Sequence, residues 1–247
     1  MKVVFVGATK GMGRALARRM AERGDDVFLL GRDEGDMERS LRDLEVHGNR
    51  AARTFAMAWC DLAAPAGFAG ALDAADAALG GFDTVVVTGG VFAQQDRLEG
   101  DPALTHQMLN VNFTGTVLFC EEARKRLLAR GGGSLCVFSS VAGERGRKPV
   151  ILYGAAKAGL TRYLEGLDHK FRGQGLKVVT VKPGFVKTSM TNGLTPPPFA
   201  GEPDAVARAV LVALDRGKPV VYVPRAWALV MLVIRLLPRF VMRRIGF

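Results

Sequence analysis

Short apolar runs recur along the chain at 3–6, 27–30, 84–87, 135–138, 178–181 and 220–223, mostly β-branched and bounded by turn residues. Each is continuously apolar rather than alternating, the pattern of parallel strands buried on both faces. A third strand, without assigned limits, precedes Asp61. Longer stretches with helical spacing lie between the runs, chiefly 14–23, 103–130 and 153–172. Repeated strand-then-helix units predict an α/β fold, a single doubly wound parallel sheet of the Rossmann type. Neither an internal repeat nor an interdomain linker interrupts the pattern. The chain divides into a dinucleotide-fold domain at 1–224 and an apolar, basic helical tail at 225–247.

The glycine-rich segment Gly7-Ala8-Thr9-Lys10-Gly11-Met12-Gly13 follows the first strand directly and opens a helix. Glycines there allow a tight turn and close approach to a pyrophosphate, and the helix N-terminus offers free N–H groups and a positive dipole end. The second strand ends in Gly31-Arg32, where a carboxylate for a ribose 2′-hydroxyl is absent. Arg32 can instead fork onto a 2′-phosphate, and Lys10 can add a second charge, so NADP(H) is the expected cofactor. Asp61 can hold the adenine amino group or cap the turn that begins at Leu62. Gly89 and Gly90, after the fourth strand, let the backbone run close to the cofactor.

Tyr153 and Lys157 stand four residues apart at the start of a helix, hence on one face. An ammonium beside a phenol is expected to lower the phenol pKa toward working pH. Ser140, at the end of the fifth strand, can hydrogen-bond the same substrate oxygen. Asn112, inside an apolar helical stretch, needs a polar partner and can hold a water beside Lys157.

These elements, in this order, resemble the short-chain dehydrogenases/reductases over nearly the whole chain. The resemblance implies that Ser140 rather than Ser139 is catalytic, with Tyr153, Lys157 and Asn112. It also implies cofactor contacts from Gly7, Thr9, Lys10, Gly11, Met12, Gly13, Leu62, Tyr153 and Lys157. Pro183-Gly184-Phe185-Val186-Lys187-Thr188 is similar to the family's loop under the nicotinamide, which implicates Pro183, Gly184, Val186 and Thr188. Two positions depart from the family pattern: Val6 stands where a Thr is usual, and Val87-Thr88-Gly89-Gly90 stands where Asn-Asn-Ala-Gly is usual. Segments 140–147 and 153–160 and the tail further resemble reductases of the decaprenylphosphoryl 2-keto-pentose type, implying a ketone substrate on a lipid-linked sugar. A 3-ketoacyl thioester or another long-chain ketone is the alternative, and a non-catalytic NADP-binding regulatory protein of the same fold is the remote one. Pairing of the long helices into a homodimer or homotetramer is implied by the resemblance alone.

Charge and cysteine content refine this picture. The formal net charge is +10, and from Lys218 onward the chain has one Lys, five Arg and no Asp or Glu, so six of those charges sit in the last thirty residues. Charge so concentrated argues against a nucleic-acid surface. The apolar run 226–234 is short of the ~20 residues a bilayer span needs. Arg235, Arg239 and Arg243 recur every four residues, as on one helix face, and Pro238 is expected to kink or divide the helix. Such a tail can lie in an anionic membrane interface, form a subunit contact or cover the active site. Arg145 and Arg147 can bind a substrate phosphate or face solvent. Cys60, Cys120 and Cys136 stand apart in apolar stretches, so neither a disulfide framework nor a zinc site is expected. The chain reads as a cytoplasmic enzyme, peripheral at the inner membrane face.

Overall fold

The computed structural model describes residues 1–48 and 52–246. Its strands are β1 (Lys2–Val6), β2 (Asp26–Gly31), β3 (Phe55–Trp59), β4 (Thr84–Val87), β5 (Gly133–Phe138), β6 (Leu176–Pro183) and β7 (Val220–Val223). They form one sheet in the order β3-β2-β1-β4-β5-β6-β7, parallel throughout. The order reverses between β1 and β4, and ligands of such sheets bind at that reversal, beyond the strands' carboxyl ends. All six apolar runs are strands. β3, an edge strand of sequence FAMAW, is mostly half-buried and has no β-branched residue, which is why its limits escape the apolar pattern.

The helices are α1 (Gly11–Arg23), α2 (Glu34–His47), α3 (Phe68–Leu79), α4 (Gln95–Gly100), α5 (Pro102–Leu109), α6 (Thr116–Ala129), α7 (Ile151–Phe171), α8 (Pro203–Asp215), α9 (Ala226–Leu236) and α10 (Arg239–Arg244). Leu72, Phe119, Leu127 and Leu160 from α3, α6 and α7 pack on one sheet face. Leu16, Met20, Val206 and Val210 from α1 and α8 pack on the other. Local chemistry sets the ends. Gly24 closes α1 at φ 89°, and the Asp33 and Asp101 carboxylates accept the backbone N–H groups of Asp36 and Leu104 to cap α2 and α5.

The expected single helix over 103–130 is continuous in space but not uniform. Between α5 and α6, Asn110–Gly115 forms a π-helical turn. A Cβ at Gly115 would lie 1.8 Å from the Leu62 carbonyl oxygen, so the helix passes the loop after β3 with no room for a side chain there.

Pro238 divides the tail, as its sequence suggests. Leu237 and Pro238 are extended, and α9 and α10 are separate helices. The expected arginine stripe is corrected by this break: Arg235 closes α9 while Arg239 and Arg243 belong to α10, so the three share no continuous helix face. Among the described residues no helix is long and apolar enough to cross a membrane.

Candidate active site

A cleft of about 600 Å³ opens where the strand order reverses. Gly7, Thr9, Lys10, Arg32, Asp61, Leu62, Gly89 and Gly90 line it. Its floor is built by close backbone approach. A Cβ at Gly7 would lie 2.5 Å from the Gly89 nitrogen, and one at Gly13 would lie 2.2 Å from the Gly7 carbonyl oxygen. Gly7 also has φ 89°, a left-handed value that disfavours side chains. Gly11 and Gly13 start α1, whose first turn holds no acidic residue. The turn therefore presents free N–H groups and the positive dipole end to this space, a cradle that fits the pyrophosphate of a dinucleotide. Met12 turns away and packs on the core under the sheet.

Thr88 is a residue whose role the sequence did not reveal. Its hydroxyl donates to the Gly7 carbonyl at 2.8 Å, with the Val6 carbonyl at 3.2 Å, and so braces the glycine turn against β4. The Thr that the family usually has at position 6 is replaced here by Val6, and a hydroxyl reaches the same turn from β4.

The adenosine end is more mixed than the sequence reading allowed. Arg32 is exposed and lines the cleft, but Asp33 and Asp36 line it too. That corrects the expectation of a carboxylate-free site. Both acids are engaged. Asp33 caps α2, and Asp36 binds Lys10 at 2.7 Å and also Arg39, which together hold its carboxyl below the usual range. Lys10 thus lines the cleft with its ammonium already paired to Asp36. Asp61 accepts the Ala63 N–H at 2.9 Å, so of its two expected roles the turn contact is formed.

The catalytic candidates converge at the other end. Ser140 follows β5, and Tyr153 and Lys157 lie in the first two turns of α7. Ser139 points inward, bonded to the Lys157 carbonyl at 3.0 Å and to the Thr161 hydroxyl at 2.6 Å. Ser140 stays partly open, its oxygen accepting the Ala142 N–H. The Ser140 hydroxyl is near enough to the Tyr153 phenol to draw its pKa down, a smaller effect than that of burial. Phe92, another residue the sequence did not single out, meets the Tyr153 ring edge-on at 5.2 Å and lines the cleft.

The electrostatics differ from expectation. Burial pushes the Tyr153 phenol up to about 12, against the smaller opposing effect of Ser140. Lys157 does not draw it down: the ammonium lies 5.9 Å from the ring centre and donates to the Phe138 carbonyl at 2.9 Å. Burial lowers Lys157 itself to about 8. The phenol is therefore protonated at neutral pH, the form a proton donor needs.

Asn112 is fully buried in the π turn. Its amide donates to the Val91 carbonyl at 2.6 Å and accepts the Val91 N–H at 2.8 Å. The polar partner its side chain meets is Val91. This pair ties the helix to the loop after β4. A Cβ at Gly90 would sit 3.0 Å from the Asn112 oxygen and 3.9 Å from the Lys157 ammonium, so Gly90 joins the two ends of the cleft.

Pro183 ends β6, and Gly184 lies under the Trp227 indole, where a Cβ would be 2.2 Å from the ring nitrogen. Val186 is buried in the core, and its carbonyl accepts the Thr191 hydroxyl. Thr188 caps the short turn Ser189–Thr191, and its methyl would be 3.1 Å from a Cβ at Gly11. This loop therefore closes over the glycine turn, with Ser189 and Met190 facing the cleft. The proline-rich stretch continues the loop, and Pro196 lines a second hollow beside it. Beyond Ser140, Arg145 donates to the Leu237 carbonyl and so binds the tail. Arg147 differs: its Nε is buried without a partner, and burial depresses its pKa.

A family model described as short chain dehydrogenase matches residues 1–198. An uncharacterized oxidoreductase of Mycobacterium tuberculosis is 36% identical over 242 residues, 98% of this chain and 96% of that protein. An actinorhodin polyketide ketoreductase solved with NADPH superposes with a TM-score of 0.80 at 22% identity, over 90% of this chain and 94% of that one. A short chain dehydrogenase from Mycobacterium paratuberculosis bound to NAD gives 0.77 at 26% identity, over 90% and 96%.

Proposed function

Because this chain belongs to the short-chain dehydrogenase family, an oxidoreductase family that uses NAD(P)(H), we propose that it is an NADPH-dependent reductase of a ketone carried on a lipid-linked, anionic substrate. The observation that carries this reading is the convergence of Ser140, Tyr153 and Lys157 at one end of the cleft, with the half-buried Tyr153 phenol protonated and so able to donate. When bound, the cofactor supplies a hydride to the carbonyl carbon. Tyr153 donates its proton to the carbonyl oxygen, and the Ser140 hydroxyl orients that oxygen. Lys157, one helical turn beyond Tyr153 and anchored on the Phe138 carbonyl, would hold the ribose of the cofactor. Asn112 fixes the wall that faces Lys157 through its bonds to Val91.

Arg32 and Lys10 support NADPH over NADH, since each can meet a 2′-phosphate and the nearby carboxylates are already satisfied within the protein. Arg147 supports an anionic substrate: an arginine nitrogen buried without a partner gains most from an incoming phosphate. A keto-sugar on a polyprenyl phosphate fits both that charge and the apolar tail beside the cleft. Exposed Phe113 and Leu118 on the π turn and α6 support pairing with a second copy along the long helices.

The test is NADPH oxidation with lipid-phosphate ketones and water-soluble ketones. Tyr153→Phe is expected to reduce turnover by about 100-fold or more while NADPH binding persists. Turnover unchanged by Tyr153→Phe overturns the reading.

A further inference from the structure

The α9–α10 segment combines features that no role in carbonyl reduction explains. α9 seats one side against the body: Met231 is fully buried and Ile234 nearly so, packed with Val141, Tyr222 and Trp227. The opposite side is equally apolar and bare. Leu229, Leu232, Val233, Leu236 and, on α10, Phe240 are all exposed, Leu229 at 68% and Leu236 at 77%. A helix that is apolar all round is stable only when covered all round. Five large apolar side chains exposed within twelve residues form a patch, not scattered surface residues.

The charges around the patch identify what covers it. Arg225, Arg239, Arg243 and Arg244 are exposed beside it, and no Asp or Glu occurs after Asp215. A second copy docking through the same patch about a two-fold axis would set these arginines against one another, with no carboxylate in the segment to answer them. An anionic bilayer surface answers both features at once, taking the apolar side chains into the acyl boundary and the arginines at the headgroups.

The segment is also fixed in orientation. Arg235 pairs with Glu144 at 3.2 Å, Arg145 donates to the Leu237 carbonyl at 2.8 Å, and Lys148 donates to the Arg243 carbonyl at 2.8 Å. All three anchors lie just past Ser140. Trp227 packs on Gly184 and donates to the Phe199 carbonyl at 3.3 Å, on the loop that closes over the glycine turn. The tail is therefore pinned to both loops that border the catalytic groups.

We propose that α9 and α10 form a docking face for an anionic lipid bilayer, held so that the mouth of the catalytic cleft lies at the membrane surface. This goes beyond the reductase reading, and its test needs no turnover, so the two stand or fall separately.

The experiment is co-sedimentation of the full chain with phosphatidylglycerol/phosphatidylcholine vesicles and with phosphatidylcholine vesicles. Binding to the anionic vesicles that weakens with salt is expected, with little binding to the zwitterionic ones. The variant Leu232→Ser/Leu236→Ser/Phe240→Ser is expected to lose at least about tenfold in partitioning. The variant Arg239→Gln/Arg243→Gln/Arg244→Gln is expected to lose on the order of 100-fold on anionic vesicles. Its three side chains are exposed, so it keeps the test valid should the serine variant not fold, and unchanged NADPH affinity reports an intact body. Absence of binding to anionic vesicles overturns the proposal. So does binding that both variants retain, or a serine variant whose only change is a smaller oligomer, which would make the covering surface a second copy.

Discussion

The Lys157 ammonium donates to the Phe138 main-chain carbonyl at 2.9 Å, which anchors the first turns of α7 to the end of β5. The lysine is buried and its pKa is lowered from 10.5 to about 8. Between those values the unfolded chain binds a proton that the folded chain does not, so this group makes stability rise with pH there. Below about 8 the whole cost of the buried charge is present, ~3 kcal/mol for a depression of that size. Lys157→Met removes that cost and orphans the Phe138 carbonyl, a loss of about 1–3 kcal/mol that does not depend on pH. Urea unfolding of both proteins at pH 7 and pH 10.5 is expected to show the variant about 2–3 kcal/mol better relative to its parent at pH 7 than at pH 10.5. A difference that stays constant across the two pH values rules this account out.

Arg32 is the only cation at the adenosine end that is free of a carboxylate partner among the cleft residues described, since Lys10 is held by Asp36. Arg32→Ala is therefore expected to weaken NADPH binding by roughly 10- to 100-fold, the worth of a charge-assisted contact, and to leave NADH binding nearly unchanged. Lys10→Ala should cost NADPH less, because Lys10 must exchange Asp36 for the phosphate. Fluorescence titration with both cofactors decides it, and equal losses for NADPH and NADH with Arg32→Ala would remove the phosphate assignment.

Asn112, fully buried, and Val91, half-buried at the cleft, exchange two hydrogen bonds. Asn112→Leu keeps the volume but leaves an N–H and a carbonyl on half-buried Val91 without partners, each costing about 1 kcal/mol, the low end for groups beside an open cleft. A loss of about 2 kcal/mol or more in urea unfolding is expected, together with weaker cofactor binding as the loop holding Gly90 loosens. A variant as stable as its parent would mean that Val91 finds other partners.

How far these features can be read from sequence depends on the range of the forces involved. The central strands are marked by apolar runs because burial on both faces demands it; of the two half-buried edge strands, β7 is marked by its β-branched valines, whereas β3, with none, leaves a weaker mark. The glycine turn, Tyr153 and Lys157 are legible because local geometry fixes their spacing. Pro238 is legible because its ring bars helix continuation. Contacts between distant segments are not. Nothing near position 88 announces that Thr88 braces Gly7, and nothing near position 10 shows Asp36 arriving on α2 to hold Lys10. The Tyr153 shift has the same origin: spacing predicts an ammonium near the phenol, while its sign is set by how deeply the whole fold buries both groups.

Glu144 joins the loop after Ser140 to β6 through Lys182 and to the tail through Arg235, two cations of different burial. Lys182 meets it at 2.5 Å with both side chains under a tenth exposed, while Arg235 meets it at 3.2 Å and is 45% exposed. Burial decides which contact matters more. Removing the partner of a buried charge costs about 3–5 kcal/mol, because the remaining ion stays desolvated and unpaired. An ion pair with one exposed member is worth about 0–1 kcal/mol. Glu144→Gln is therefore expected to destabilise the protein by about 3 kcal/mol, and Arg235→Gln by less than about 1 kcal/mol. The Lys182→Met/Glu144→Leu pair should recover most of the loss, since it removes both buried charges together and fills the space with apolar atoms. Urea unfolding of the four proteins distinguishes the possibilities: equal losses from Glu144→Gln and Arg235→Gln would place the weight on the tail contact instead of on the buried pair.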